Sequence, residues 1–269
     1  MASIYENIIN SEEIPADHKY YWDYQYGYGA EVLTPYLVRH RAFSPGDSAV
    51  EIGSAEGGVL AALAESGAKD CLGTDISAPR LAMGRKIAQI AGLDISFSNH
   101  NIITQKIPAE WAEKFDIAML RDTIEHLDDT RLALEKVGQL LRKGGRLLVT
   151  FPPYHSPYGG HQHTVASRGG KLPYIHLLPD GIFHKLIEKG RPNDIGEVKR
   201  LQRIRLTPGK FLDSARAAGY EIAKADYYLL RPVFKMKFGL PAVRLTPVSF
   251  LPFVKKYLSL EALYLLKKK

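Results

Sequence analysis

The stretch Val50-Glu51-Ile52-Gly53-Ser54-Ala55-Glu56-Gly57-Gly58 constrains the fold more than any other part of the chain. A short β-branched run reaches an acid, then passes through a glycine-rich turn into a helical pattern. In an open α/β sheet such a turn lies at the carboxyl ends of the strands, beside the crevice where ligands bind. Gly53 and Gly57 let the backbone turn tightly and approach a ligand with no Cβ in the way.

The rest of the chain repeats the alternation of strand and helix, the pattern of a parallel sheet with crossover helices. Strands are expected over residues 49–53, 71–75, 95–98, 115–121, 146–151, 221–231 and 262–268. Helices are expected over 57–66, 79–91 and 130–141, with Ser77 as a cap and Lys143-Gly144-Gly145 as a stop. Residues 152–205 break the rhythm and are rich in Pro, Gly and His, with helices at 181–189 and 195–201. Thr207-Pro208 then opens a helix over 209–218. The final strand is best placed antiparallel to 221–231, with 232–259 looping between them. The expectation is an α/β, doubly wound, seven-stranded and mostly parallel sheet with helices on both faces. Its parts are N-terminal helices over the cofactor side (1–47), a core (48–152), an inserted cap that shapes the substrate site (153–206) and a C-terminal part of the core (207–269).

Several ligands use glycine turns, and three features separate them. A dinucleotide fingerprint wants Gly-x-Gly-x-x-Gly, whereas Ala55 stands at its second glycine. No Gly-Lys-Ser/Thr follows, which excludes a triphosphate loop. Glu51 would repel a pyrophosphate but suits a cofactor that carries an ammonium and a sulfonium. Asp75, ending the second strand, is placed to accept from both ribose hydroxyls. Together these point to S-adenosyl-L-methionine.

Residues 49–151 resemble the class I, Rossmann-like methyltransferases. Glu51-x-Gly53-x-Ala55-x-Gly57 is similar to the first motif of that family, and Asp75-Ile76-Ser77 to the second, whose apolar residue packs on adenine. His100-Asn101-Ile102 stands where the family has an acid and a small apolar residue, and Asn101 can hydrogen-bond an amino group. Phe115-Asp116 through Ile124-Glu125-His126-Leu127 and Leu141-Arg142-Lys143-Gly144-Gly145 also match. The resemblance implies S-adenosyl-L-methionine as cofactor, with Glu51, Gly53, Ser54, Ala55, Gly57, Asp75, Ile76, Asn101, Ile102 and Arg121 around it, and an antiparallel last strand.

Methyl transfer from a sulfonium needs an aligned nucleophile and, for a hydroxyl, loss of its proton. Asp122, Glu125 and His126 follow the fourth strand and are the catalytic candidates. His126 comes first as general base, because an imidazole titrates near ~6.5. Tyr154, His155, Tyr158, His161 and His163 are expected to line the substrate site. No metal is expected. The alternative rests on a resemblance to small-RNA and quinone methyltransferases, in which Asp122, Glu125, His126 and His161 would hold magnesium, manganese or iron. The expected reaction is methyl transfer to oxygen of a small or lipid-linked acceptor. The alternatives are an RNA methyltransferase and a non-catalytic cofactor-binding module.

At 269 residues and 45% apolar side chains, the chain supports one sizeable core with an insertion. Residues 1–10 show no secretory signal pattern, and the most apolar long stretch, 238–254, is broken by Arg244 and three prolines, so no transmembrane segment is expected. A single cysteine, Cys71, excludes an internal disulfide and fits a cytoplasmic setting. The net charge of +7 favours anionic partners. Nucleic acid is disfavoured because no RNA-binding module accompanies the domain, whereas peripheral membrane contact stays open.

Overall fold

All five residues of β1 (Ser48–Ile52) are buried, as a central strand covered on both faces requires. In the computed structural model, which describes residues 4–251 and 253–269, β1 pairs in parallel with β2 (Lys69–Asp75) and β4 (Phe115–Arg121). Outward from these lie β3 (Ile95–Asn99), parallel to β2, and β5 (Leu141–Phe151), parallel to β4. Two long C-terminal strands complete the core, β6 (Tyr220–Leu230) and β8 (Glu261–Lys268). The last strand inserts antiparallel between β5 and β6, so the order is β3-β2-β1-β4-β5-β8-β6, followed by β7 (Val243–Arg244). The seven expected strands are therefore present with the last one antiparallel, and the two-residue β7 extends the edge.

Successive residues of β4 serve opposite faces. Ile117 and Met119 join the core beneath α1 (Ile4–Ile9), α2 (Ala16–Tyr28), α3 (Thr34–Arg39), α4 (Gly58–Glu65) and α5 (Ala78–Ala91). Ala118 and Leu120 join the core beneath α6 (Thr130–Leu140) and α9 (Pro208–Ala217). This period of two is what a sheet packed on both sides demands. Helix α2 reaches the glycine turn because Gly58 lets it approach, since a Cβ there would lie 2.8 Å from the Trp22 carbonyl.

Helix boundaries follow side-chain chemistry. Thr207 caps α9 by accepting from the Lys210 amide at 3.2 Å, and Asp129 caps α6 through the Leu132 amide at 2.9 Å. Ser77 differs from expectation: its hydroxyl caps nothing, and its own amide donates to Asp75 Oδ1 at 2.8 Å. The fifth strand begins at Leu141 rather than 146. Phe115 pairs with Leu141 but Ile117 with Arg146, so the intervening residues bulge around Gly144, whose φ is +74°.

Between β5 and α9, short 3-10 turns lead to α7 (Asp180–Ile187) and α8 (Pro192–Ile204), the second longer than the sequence pattern suggested. Val165, Ile175, Phe183, Ile187 and Val198 give this insertion a small core of its own. The 232–259 connection is less of a loop than expected and contains α10 (Phe234–Phe238). Among the described residues no helix is long and apolar enough to cross a membrane.

Candidate active site

The carboxyl ends of β1, β2 and β4 open into a crevice of about 460 Å³, closed on one side by Tyr21, Tyr24 and Tyr28 of α2. Its floor is the glycine turn, with Gly53 at φ +77° and Gly57 at φ +77°. A Cβ on Gly53 would meet Thr123 Oγ1 at 2.3 Å, and one on Gly57 the Phe97 ring at 2.6 Å, so neither position accommodates a side chain. Ala55 adopts φ +52° between them, a left-handed conformation that a glycine would take without strain. Gly53 and Ala55 line the crevice, whereas Ser54 is buried beneath the turn with its hydroxyl unpartnered.

Glu51 is fully buried, and Arg121 Nε donates to its Oε1 at 2.8 Å. Its Oε2 has no partner. Burial raises the Glu51 pKa and Arg121 opposes that rise, so a second cation beside Oε2 would stabilise the carboxylate further. Asp75 lines the crevice but already accepts from the Ala55 amide at 3.0 Å and the Ser77 amide at 2.8 Å. Each of its oxygens retains a lone pair for a ribose hydroxyl. Ile76, apolar yet 72% exposed, forms an open wall beside it.

The opposite wall carries His100, Asn101 and the buried Ile102. The expected use of Asn101 needs correction, because its Oδ1 accepts from the Ile103 amide at 2.9 Å and the Thr104 amide at 3.1 Å. An Asx-type turn consumes the oxygen meant for an amino group. His100, which sequence reasoning did not assign to the site, offers a substitute. Its Nε2 is buried without a partner, and burial together with Lys136 lowers its pKa, which keeps the ring neutral.

Past β4, Asp122 takes φ +48° and its Oδ2 accepts from Arg231. Burial would raise its pKa, but the adjacent guanidinium outweighs that and holds it low. Asp122 thus lines the crevice as an ionised partner of Arg231. Glu125 is the converse, buried with both carboxylate oxygens unpartnered and its pKa lifted by burial to about 8. His126 Nε2 lies 3.8 Å and His161 Nε2 3.9 Å from Glu125 Oε1. The other ring nitrogen of His126, Nδ1, is 2.5 Å from Glu197 Oε1 on α8. Burial disfavours the His126 charge, yet Glu197 and Glu125 more than compensate and raise its pKa. Burial lowers His161 to about 3, so that ring is neutral.

These contacts join residues far apart in sequence and include several that pattern reading missed. Glu197, Arg231 and the buried Glu56, which pairs with Arg80 at 2.7 Å and His18 at 2.9 Å, carry no local signal. A second cavity of about 410 Å³ is lined by Tyr158, His161 and His163, with Phe234, Phe238, Leu260 and Lys237 opposite. Lys237 lines both spaces, and the rings of His126 and His161 lie 5.0 Å apart where they meet. Tyr154 and His155 line neither space, contrary to expectation. Tyr154 is buried against His176, and His155 packs edge-on against Tyr257, so both serve the packing of the insertion.

A buried acid beneath a glycine turn, a second acid at the end of β2 and a wall that carries a neutral imidazole together make an α/β crevice at the carboxyl ends of parallel strands. Comparison with known proteins narrows this class. The family described as "Methyltransferase domain" matches residues 50–147. The chain is 32% identical over 100 residues to a ubiquinone biosynthesis O-methyltransferase of Chelativorans sp. (strain BNC1), covering 37% of this chain and 38% of that protein. It is 23% identical over 207 residues to phosphoethanolamine N-methyltransferase 1 of Arabidopsis thaliana, covering 74% of this chain and 40% of the relative. The match therefore spans well under half the length of these relatives. Geranyl diphosphate C-methyltransferase from Streptomyces coelicolor A3(2) has a similar fold, with a TM-score of 0.58 at 10% identity over 89% of this chain and 78% of that one. Residues 50–147 thus match a methyltransferase domain, and the chain shares the α/β Rossmann-like fold of S-adenosylmethionine-dependent methyltransferases.

The same geometry bears on a divalent cation. One donor atom each from Glu125, His126 and His161 lie within 4.8 Å of one another, and the orphaned carboxylate of Glu125 fits such an ion. Two imidazoles and one carboxylate form a recognised face for divalent metals. Asp122, the fourth ligand of the metal-binding alternative, pairs with Arg231 and lies outside this set of donors.

Proposed function

We propose that the chain transfers a methyl group from S-adenosyl-L-methionine to an oxygen of a small or lipid-linked acceptor. The observation that carries this reading is the junction of the two cavities, where His126 lines the cofactor crevice and His161 the second space, their rings 5.0 Å apart. Glu197 accepts from His126 Nδ1, which fixes the tautomer and leaves the Nε2 lone pair free. An acceptor hydroxyl held in the second cavity then gives its proton to Nε2 as its oxygen attacks the methyl carbon. The carbon–sulfur bond breaks and S-adenosylhomocysteine leaves. Glu197, whose pKa the contact with His126 lowers, stabilises the imidazolium that forms. Phe234, Phe238 and Leu260 suit an apolar acceptor body, and Lys171 and Lys237 an acidic substituent.

The relatives include both an O- and an N-methyltransferase by name, so the test must read the atom methylated. Purified protein is incubated with methyl-labelled cofactor and a panel of hydroxylated and amino acceptors, and products are fragmented by mass spectrometry. The reading expects label on oxygen and a loss of about 100-fold in rate for His126→Asn. Label on nitrogen with full activity of that variant would overturn it.

A second reading follows from the three gathered donors: a divalent cation held by Glu125, His126 and His161 would bind the acceptor oxygen and ease its deprotonation. His126 Nε2 cannot both hold that ion and take the proton. Manganese binding followed by its electron resonance signal in wild type and Glu125→Gln separates the two. Binding lost in the variant favours the metal, and the absence of binding in wild type removes it.

A further inference from the structure

From residue 227 to 260 the sequence contains six lysines and arginines and no aspartate or glutamate. This stretch joins β6 to β8 and passes through α10 and the edge strand β7. Two of its cations are neutralised by acids from elsewhere, Arg231 by Asp122 and Glu261 and Lys235 by Glu31. Arg244, Lys255 and Lys256 form no ion pair among the described residues. Tyr227, Tyr228, Val233, Leu245 and Val254 of this segment are buried and anchor it, whereas a set of its rings is turned to solvent: Phe250 is 75% exposed, Phe238 63% and Phe253 56%, beside the partly exposed Tyr257 and Leu258. A run that is at once aromatic, basic and free of acids matches a water–bilayer boundary, where rings enter the headgroup layer and cations meet anionic lipid.

We propose that residues 234–251 and 253–258 form a surface that docks this chain on an anionic lipid bilayer. Charge complementarity selects this occupant over a second copy of the chain. A two-fold interface sets the same patch against itself, which would oppose Arg244, Lys255 and Lys256 to their own equivalents with no acid of the segment between them. The docked segment is also one wall of the second cavity, through Phe234, Lys237 and Phe238. An acceptor resident in the membrane would therefore reach that cavity without leaving the lipid boundary. That last step rests on the proposed acceptor site, whereas bilayer binding itself does not require methyl transfer.

The test is co-sedimentation of the full chain with vesicles of phosphatidylcholine alone or mixed with phosphatidylglycerol. The chain is expected on the mixed vesicles at low salt and released as salt rises. Lys255→Glu with Lys256→Glu should weaken partitioning by about fivefold per cation removed. Phe250→Ser with Phe253→Ser should weaken it by about tenfold or more. Thermal unfolding and calorimetric binding of S-adenosylhomocysteine should match wild type in both variants, which shows that fold and crevice are intact. The proposal is overturned if wild type does not sediment with anionic vesicles, if either pair of substitutions leaves partitioning unchanged, or if light scattering shows a dimer that the phenylalanine substitutions dissolve.

Discussion

Arg121 Nε lies 2.8 Å from Glu51 Oε1, which ties a residue of the crevice lining to a carboxylate buried directly behind it. One oxygen of the acid is neutralised from within the protein, and Oε2 is left buried and unpartnered. A positively charged ligand group is the natural complement of that oxygen, because an isolated buried acceptor is costly.

Glu51→Gln should weaken S-adenosylhomocysteine binding by at least about tenfold, since the ammonium loses its counter-charge. The same change leaves Arg121 as a buried cation without its acid, so a loss of about 3 to 5 kcal/mol in stability is expected alongside. Calorimetric titration and urea unfolding read the two effects separately. Unchanged cofactor affinity in a folded variant would contradict the assignment.

The glycine turn gives two substitutions of very different cost. Ala55 sits at φ +52°, so Ala55→Gly removes about 1 kcal/mol of strain and adds a comparable unfolded-state entropy cost, for a net change near zero or slightly stabilising. Gly57→Ala places a Cβ 2.6 Å from the Phe97 ring at φ +77° and should destabilise by about 2 kcal/mol or more. Urea midpoints of the two variants decide, and a large loss for Ala55→Gly would contradict the strain.

Much of the crevice was legible in sequence because its signals are local. The run into Gly53 and Gly57 marks the end of β1 within nine residues, Thr207-Pro208 marks the start of α9, and the short apolar run near the C-terminus marks β8. What escaped depends on separation along the chain. Glu51 meets Arg121 across 70 positions, His126 meets Glu197 across 71 and Asp122 meets Arg231 across 109. No periodicity encodes such pairs, so the sequence offers Asp122 as a catalytic candidate without showing its ion pair with Arg231. Tyr154 and His155 misled for a related reason: aromatic and imidazole side chains serve loop packing as readily as substrate contact, and only burial distinguishes the two.

Glu125 makes stability depend on pH. Its folded pKa of about 8 exceeds the ordinary 4.5, so the folded chain holds a proton that the unfolded chain releases. The stability it contributes is complete below 4.5 and is lost as pH rises towards about 8. His161 runs the other way: lowered from 6.5 to about 3, it adds stability as pH rises across that interval and nothing further above it. From pH 6.5 to 8 the Glu125 contribution should therefore dominate this pair, with wild type losing at least about 1 kcal/mol more than Glu125→Gln. Urea unfolding at a series of pH values measures this, and parallel curves for the two proteins would refute it.

Glu197→Gln should lower the pKa of His126, because the hydrogen bond to Glu197 is the leading influence that raises it against burial. Proton resonances of the ring followed against pH report the shift directly. A titration midpoint unmoved by the substitution would remove Glu197 from its positioning role.

The most direct measurement is calorimetric titration of the full chain with S-adenosyl-L-methionine, with NAD as competitor, in wild type and Asp75→Asn. One equivalent of S-adenosyl-L-methionine should bind wild type, resist displacement by NAD and bind the variant at least about tenfold more weakly. Absence of binding, tighter binding of NAD, or equal affinity in the variant would contradict the account.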